Sequence, residues 1–276
     1  MYEIRNLQGV SFSDIAATWN DAFVDYIVPM QTTADSVAAY FRVAAVRADC
    51  SFGAFYEGNL VGMILSSVDS LDGRDIAYDA MTGIAPQHRG KGLFSQLFEQ
   101  TRLRFRTQGI SQYYLEVIKT NAKAFAIYQR KGGKVTRELS FLTGKISADV
   151  DYTSGVQVEI IQLTTAQAGD KSLYRPSFSN RTVALLRNAG NYQIAIATKG
   201  ELQTGVVFSQ QGAVPQILFR GNADKELLLA VFTHLSQSFN QIRISNIPVT
   251  ECVLIEWLQE IGFSELLRQY EMCIEI

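Results

Sequence analysis

The stretch that most restricts what this chain can become runs from Thr82 to Phe98, TGIAPQHRGKGLFSQLF. An apolar, strand-like run from Met81 to Ala85 meets Pro86, a turn follows with Gly90 and Gly92, and an amphipathic run opens at Leu93. Strand, glycine turn and helix in that order bring bare backbone amides to the start of the helix. Unpaired N–H groups and the positive end of the helix dipole converge there. An anion belongs at such a point. His88, Arg89 and Lys91 share the loop, so the preferred anion carries several charges, as a pyrophosphate does.

The elements around this turn can be read in order. Tyr2 to Leu7 alternates like a strand, and Phe12 to Phe23 spaces its apolar residues as a helix behind Ser11 or Ser13. Pro29 breaks that pattern, and Thr32 or Thr33 starts a second helix with Val37, Tyr40, Phe41 and Ala44 on its apolar face. The apolar linker Tyr26 to Met30 is either a tucked-in connection or a wall of a substrate pocket. Two β-prone runs flank Glu57-Gly58-Asn59, which reads as a hairpin turn. After a polar loop, Asp69 to Asp75, a strand from Ile76 to Ile84 enters the glycine turn. The following helix carries Leu93, Phe94, Leu97, Phe98, Thr101 and Phe105 on one face, Gln112 to Ile118 is another strand, and Asn121 to Arg130 is a helix stopped by Gly132-Gly133. Strand, helix, strand order implies parallel neighbours joined by a crossover. Lys134 to Leu142 closes this domain as its last strand.

At 276 residues the chain is long for one domain, since about 150 residues per domain is usual. A self-similarity supports two. IAIATKGELQTGVVFS (194 to 209) repeats the hairpin layout of GAFYEGNLVGMILSS, and Ile242 to Ile247, Thr250 to Ile261, Gly262-Phe263 and a final strand mirror Leu115 to Leu142. The second copy lacks the glycine turn. It reads RGNADKELLLAV at the matching place, with Asp224 and Glu226 in the first helical turn, where carboxylates satisfy the dipole and repel a pyrophosphate. The fold class expected is therefore α/β (α+β) in two tandem copies, residues 1–148 and 149–276. Each is a mixed, mostly antiparallel sheet flanked by helices, and only the first has an anion turn.

Composition narrows the function. A net charge of −2 argues against a dedicated nucleic-acid binder. No apolar span reaches membrane length and the N-terminus has no signal pattern, so a cytoplasmic location and no membrane partner are expected. Cys50, Cys252 and Cys273 are widely spaced and read as reduced and mostly buried. With only His88 and His234, no histidine metal site is expected.

The segments IAPQHRGKGL (84 to 93) and LEVIKTNAKAFAIYQRKGG (115 to 133), together with the element order, resemble the GNAT superfamily of acetyl-CoA-dependent N-acetyltransferases. Gln87, Gly90 and Gly92 match its Q/R-x-x-G-x-G/A signature, and Asn121, Ala124, Tyr128 and Gly132 match a second pattern. Gly133 departs from the usual Phe, which the second copy keeps as Phe263. The likeness is close over residues 1–145 and a degenerate echo beyond.

That resemblance implies acetyl-CoA as co-substrate and a primary amine of a small molecule, peptide or protein lysine as acceptor. The amides around His88, Arg89, Gly90, Lys91, Gly92 and Leu93 would hold the pyrophosphate, and Thr82 and Ile84 would offer main chain to the pantetheine arm. Asn121 would bind that arm or cap its own helix, with Ala124 one turn on. Tyr128 would be a general acid for the departing thiolate or a core aromatic. A lysine-like amine has a pKa of about 10.4, so the reaction needs a base. Asp79 and Glu116 are the candidates, each equally readable as exposed or ion-paired. The alternative function is a non-catalytic acyl-CoA-binding sensor or regulatory module. The second copy would cover the acceptor side of the first or form a homodimer interface, and neither choice follows from the residues.

Overall fold

The computed structural model describes residues 1–26, 30–71, 73–146, 156–164, 172 and 174–276. The expected domain boundary at 148 and the middle of the linker Tyr26 to Met30 lie outside the described residues. By compactness the chain divides into two units. One comprises Met1–Glu116, Tyr128–Lys134 and Met272–Ile276, and the other Val117–Ile127 and Val135–Glu271.

In the first unit, strand β1 (Tyr2–Asn6) leads to helices α1 (Phe12–Ala22) and α2 (Ala34–Val43). Of the two candidate caps for each, Ser11 accepts from the Asp14 N–H and Thr33 from the Ser36 N–H. Strands β2 (Phe52–Tyr56) and β3 (Asn59–Leu71) form the expected hairpin, with Glu57 and Gly58 at φ 51 and 83. Two successive positive φ values let the turn follow the right-handed twist of its strands. Strand β4 (Arg74–Ile84) pairs antiparallel with β3, and helix α3 (Leu93–Arg106) returns the chain to strand β5 (Gln112–Ile118) beside β4. Leu7, Ile15, Trp19, Val37, Phe55, Met63, Leu65 and Met81 form the core beneath α1 and α2.

Helix α4 (Ala122–Arg130) and strand β6 (Lys134–Gly144) follow. The sequence reading makes β6 the last strand of the first domain, yet from Val135 onward it counts with the second unit. The place beside β5 goes to the end of the final strand, whose Ile276 N–H donates to Ser111 O at 2.9 Å. A strand edge is satisfied by any segment with the right alternation and reach, so proximity in sequence does not choose its partner.

The second unit has a four-stranded antiparallel sheet in the order β11 (Gln216–Arg220), β9 (Leu202–Ser209), β8 (Tyr192–Lys199), β7 (Val158–Gln162). Helices α5 (Thr182–Leu186) and α6 (Lys225–Ser238) and the short strand β10 (Ala213–Val214) belong to it, as do strand β12 (Ile242–Pro248), helix α7 (Cys252–Glu260) and strand β13 (Phe263–Glu275) through Glu271. β7 and α5 fall in a stretch where the sequence pattern suggests no element. Helix α6 is buried without a break from Leu227 to Phe232. Of the three cysteines only Cys50 is buried, Cys252 is exposed and Cys273 is in between. Cys252 departs from expectation because it opens α7, where a side chain at the first turn faces out. Among the described residues, no helix is long and apolar enough to cross a membrane and no group of His, Cys, Asp and Glu could hold a metal.

Candidate active site

One irregularity in β4 shapes the site. Leu65 faces Met81 across the β3–β4 ladder and Ser66 faces Asp79, so Ala80 is an extra residue on β4. Side chains alternate along a strand, and an inserted residue breaks the alternation and bends the strand. Asp79 and Thr82, three apart, would otherwise point to opposite faces. Instead Thr82 Oγ1 lies 2.8 and 2.7 Å from the two oxygens of the Asp79 carboxylate. β4 and β5 are parallel and, among the described residues, pair only at Ala77 with Tyr113 and Tyr78 with Tyr114. From Asp79 onward the edge of β4 that faces β5 is left without a ladder.

Into this place comes Tyr128 from the last turns of α4. Its hydroxyl donates to Asp79 Oδ2 at 2.9 Å, and its ring meets Phe94 edge to face at 5.4 Å. Both Asp79 and Tyr128 are 8% exposed. Burial disfavours a carboxylate, so Asp79 is pushed up to about 6, held from going further by the bonds from Thr82 and Tyr128. The Tyr128 phenol is driven well above its ordinary value by burial first and by the neighbouring Asp79 charge second. Tyr40 of α2 closes one side, donating to Ala80 O at 2.6 Å, and its phenol is raised by burial, then by Asp79 and Glu116. Gly133 explains the missing Phe. A Cβ there would stand 2.8 Å from Tyr128 O and 3.0 Å from Met272 Cε, so the chain packs its backbone tightly behind Tyr128.

The turn has the form the sequence suggests. Pro86–His88 is one 3-10 turn, Gly90 and Gly92 have φ 75 and 73, and α3 starts with Gly92 as its cap and no side-chain capping bond. Among the described residues the N–H groups of Gly90, Lys91, Gly92 and Leu93 donate to no backbone carbonyl, and Gln96 is the first to return a bond, to Gly92 O. A Cβ on Gly90 or Gly92 would meet nothing within 4 Å. Glycine is therefore required for the left-handed backbone, and the space above the amides is open, which fits a bound anion.

The three basic side chains are placed differently from one another. The Arg89 guanidinium donates to Ile84 O at 2.9 Å, to Ala22 O at 2.9 Å and to both oxygens of Asp25 at 2.6 and 2.8 Å, so it ties the turn to the end of α1. His88 Nδ1 shares a hydrogen bond of 2.9 Å with Tyr2 Oη, to which Lys91 Nζ also donates at 3.0 Å. Removing the Arg89 fork as Arg89→Met is expected to weaken acetyl-CoA binding about tenfold and to cost about 1–2 kcal/mol of stability, through the backbone carbonyls it leaves unpaired. Calorimetric titration and a denaturant melt measure the two effects. The salt dependence of binding is expected to stay unchanged, since this side chain anchors the loop.

Of the other expected residues, Gln87 is exposed, Glu116 is half-buried near Tyr40, and Ile84 supplies the carbonyl that Arg89 holds. Asn121 and Ala124 belong to the second unit, where Asn121 Oδ1 accepts from the Ala124 N–H at 3.1 Å and so caps α4. Thr82 as a partner of Asp79, Tyr40 and Arg89 as an anchor were not apparent in sequence. The bulge that aligns Thr82 leaves no local signature, while an arginine just before a glycine turn could have been read as its tether.

In the second unit the helix matching α3 is α6, and Asp224 caps it by accepting from the Glu226 and Leu227 N–H groups at 2.8 and 3.2 Å. The chain's own carboxylate thus occupies the amides that are free in the first unit.

Residues 3–133 match the model of the Acetyltransferase (GNAT) family. Over 99% of this chain and 95% of the other, the structure is similar to a GCN5-related N-acetyltransferase from Sphaerobacter thermophilus, at 12% identity and a TM-score of 0.69. It is similar over 100% of this chain and 98% of the other to a tandem GNAT protein from the clavulanic acid biosynthesis pathway, at 12% identity and a TM-score of 0.64. At these identities the likeness is one of fold, and it extends over both halves. No curated protein matches the chain in sequence.

Proposed function

Because residues 3–133 match the model of the GNAT acetyltransferase family, we propose that this protein transfers an acetyl group from acetyl-CoA to a primary amine, with Asp79 as base and Tyr128 as acid. The observation that carries the proposal is the 2.9 Å hydrogen bond between them in a buried site. When bound, acetyl-CoA supplies the acetyl group as a thioester and departs as the thiol. The free amides of Gly90 to Leu93 would hold its pyrophosphate, and the edge of β4 left without a ladder at Thr82 and at the Ile84 N–H would meet its arm, Ile84 O being already held by Arg89.

The proton balance follows from the pair. A carboxylate with a pKa of about 6 is ionised at pH 7 and above, so Asp79 can take the proton that the amine gives up as it forms the new C–N bond. Tyr128 Oη supplies a proton to the sulfur as the C–S bond breaks. Asp79 then returns its proton to Tyr128 along their hydrogen bond, and the pair ends as it began. This also favours Asp79 over Glu116, since Tyr128 is bonded to Asp79. Asn121 Oδ1 serves as the cap of α4. The acceptor is a small molecule, a peptide or a protein lysine, and the second domain binds no CoA.

The test is Tyr128→Phe, followed by release of CoA thiol. kcat is expected to fall about 100-fold while KM for acetyl-CoA stays within twofold. An unchanged kcat would remove Tyr128 from the proton path and leave it as a core aromatic.

A further inference from the structure

Resting on the reading of Asp79 as the base, we propose that Tyr113, backed by Ser66, is a positioning residue for that base. It is a second phenol, which holds the carboxylate charged while Tyr128 turns its own hydroxyl to the departing sulfur. A carboxylate offers about four acceptor positions on its two oxygens. Asp79 receives one proton from Thr82, within reach of both oxygens, and one from Tyr128 on Oδ2. In the transfer proposed above Tyr128 must aim that proton at the sulfur, so Asp79 loses a donor while it is still needed as an anion. A buried anion short of donors is costly.

Tyr113 is placed to take over. Ser66 faces Asp79 across the β3–β4 ladder, and Tyr113 on β5 pairs with Ala77, two residues before Asp79 on β4. Side chains two apart share a face of a strand, so Ser66, Asp79 and Tyr113 stand on one face of the sheet. Helix α3 packs on that face, where the Tyr113 ring lies edge to face with Phe98 at 5.5 Å and tilted against Phe105 at 6.0 Å. Tyr113 and Ser66 are both 0% exposed, and neither Tyr113 Oη nor Ser66 Oγ makes a direct hydrogen bond among the described residues. Natural cores rarely keep such hydroxyls, and phenylalanine would fill the same space without an orphaned polar atom.

The hydroxyls nevertheless act on one another. Burial raises the Asp79 carboxyl, and Thr82, Tyr128 and Tyr113 work against that rise. Burial first and the Asp79 charge second drive the Tyr113 phenol well above its ordinary value, so it keeps its proton and serves as a donor, while Ser66 acts on it in the opposite sense. A small movement closes Ser66 Oγ onto Tyr113 Oη and Tyr113 Oη onto Asp79, a chain in which each hydrogen bond polarises the next. The other titratable groups around the carboxylate, among the described residues, are Tyr128 of α4, which Tyr26 also reaches, and Tyr40 of α2, which Glu116 of β5 also reaches. Tyr40 has committed its hydroxyl to Ala80 O.

The experiment is Tyr113→Phe on the full chain, with the aspartate carboxylates labelled with carbon-13 and the Asp79 signal identified by its loss in Asp79→Asn. The ring still fills the space between Phe98 and Phe105, and Ser66→Ala, which cuts only the far link, is the milder second variant. The Asp79 titration is expected to move up by about one pH unit in Tyr113→Phe, and by less in Ser66→Ala. In a Tyr128→Phe background the step caused by Tyr113→Phe is expected to be larger, because no phenol then remains to donate to the carboxylate. In thiol release from acetyl-CoA, the inflection of kcat/KM, corrected for the fraction of unprotonated amine, is expected to move up with the titration. kcat is expected to fall about tenfold and KM for acetyl-CoA to stay within twofold. A titration that does not move in Tyr113→Phe, or that moves equally in both backgrounds, overturns the proposal whatever the turnover. A titration that moves as expected, in a protein that releases thiol with no amine or whose pH profile does not follow it, supports the placing of Tyr113 and defeats Asp79 as the base.

Discussion

Asp79→Asn is expected to lower kcat/KM by about 100- to 10,000-fold and at the same time to stabilise the protein at pH 8. The two effects have one cause. In the folded chain Asp79 titrates at about 6, against an ordinary value of 3.8, because burial penalises its charge. Between these values the folded state holds a proton that the unfolded state has lost. The favourable contribution of this group is therefore fully present below about pH 4 and is lost as pH rises through about 6. At pH 8 the parent protein carries a buried charge whose cost is up to about 3 kcal/mol. Asn has nearly the same shape and pairs with the hydroxyls of Thr82 and Tyr128 without that charge. It cannot accept a proton from an amine. The parent's kcat/KM, corrected for the fraction of unprotonated amine, is expected to rise with pH through about 6, and that inflection should vanish in Asp79→Asn. A variant as active as the parent, or one whose profile keeps the inflection, would move the base to Glu116 or to water. Thermal melts at pH 5 and pH 8 check the other half, the gain over the parent appearing at pH 8 and shrinking at pH 5.

Gly92→Asp is expected to weaken acetyl-CoA binding about 100-fold while leaving the melting temperature equal or higher. The second unit already contains the outcome of this change. There Asp224, at φ −123, accepts from two helix-start amides of α6. An Asp in place of Gly92 either stays at the left-handed φ of 73, which Asp bears better than most residues, or relaxes to the geometry of Asp224. In both cases its carboxylate covers the amides and repels a pyrophosphate, and about 3 kcal/mol of lost binding corresponds to about 100-fold. A side-chain cap adds about 0.5–1 kcal/mol to the helix, which offsets the backbone strain. Calorimetry with acetyl-CoA gives the affinity, and binding as tight as the parent's would show that the amides of this turn do not carry the anion.

How much of this was legible in the residues depends on the range over which the physics acts. Ser11, Thr33 and Asp224 each cap a helix within three residues of themselves, and the positive φ values at Gly58, Gly90 and Gly92 are requirements of single turns. Such signals are complete in a short window, so the turns can be read in the sequence and each cap to within a residue or two, while the choice of Ser11 over Ser13, of Thr33 over Thr32, and of Asp224 as a cap rather than a first-turn residue comes from the structure. Asn121 was balanced between two local roles, and the structure shows the cap. Lys134 to Leu142 reads as the last strand of the first domain, whereas by compactness Val135 onward goes with the second unit, for the opposite reason. Any alternating apolar segment can join a sheet edge, and in the first unit that segment is Met272–Ile276, more than a hundred residues away.

The candidate site divides along the same line. The sequence by itself determined the two tandem α/β copies, the glycine turn at Gly90 to Leu93 and its absence from the second copy, where Asp224 and Glu226 stand instead, because turns and helix starts are set by neighbours. It also named Asp79, Glu116 and Tyr128 without ranking the carboxylates or joining either to the tyrosine. Only the tertiary structure decided that Tyr128 and Asp79, 49 residues apart, share a hydrogen bond, that the extra residue Ala80 turns Thr82 to the same carboxylate, and that Arg89 anchors the turn to Asp25. Those facts depend on the bulge in β4, on where α4 lands, and on how deeply the carboxylate is withdrawn from water. Burial and long-range contact set its pKa, and neither exists until the chain has folded.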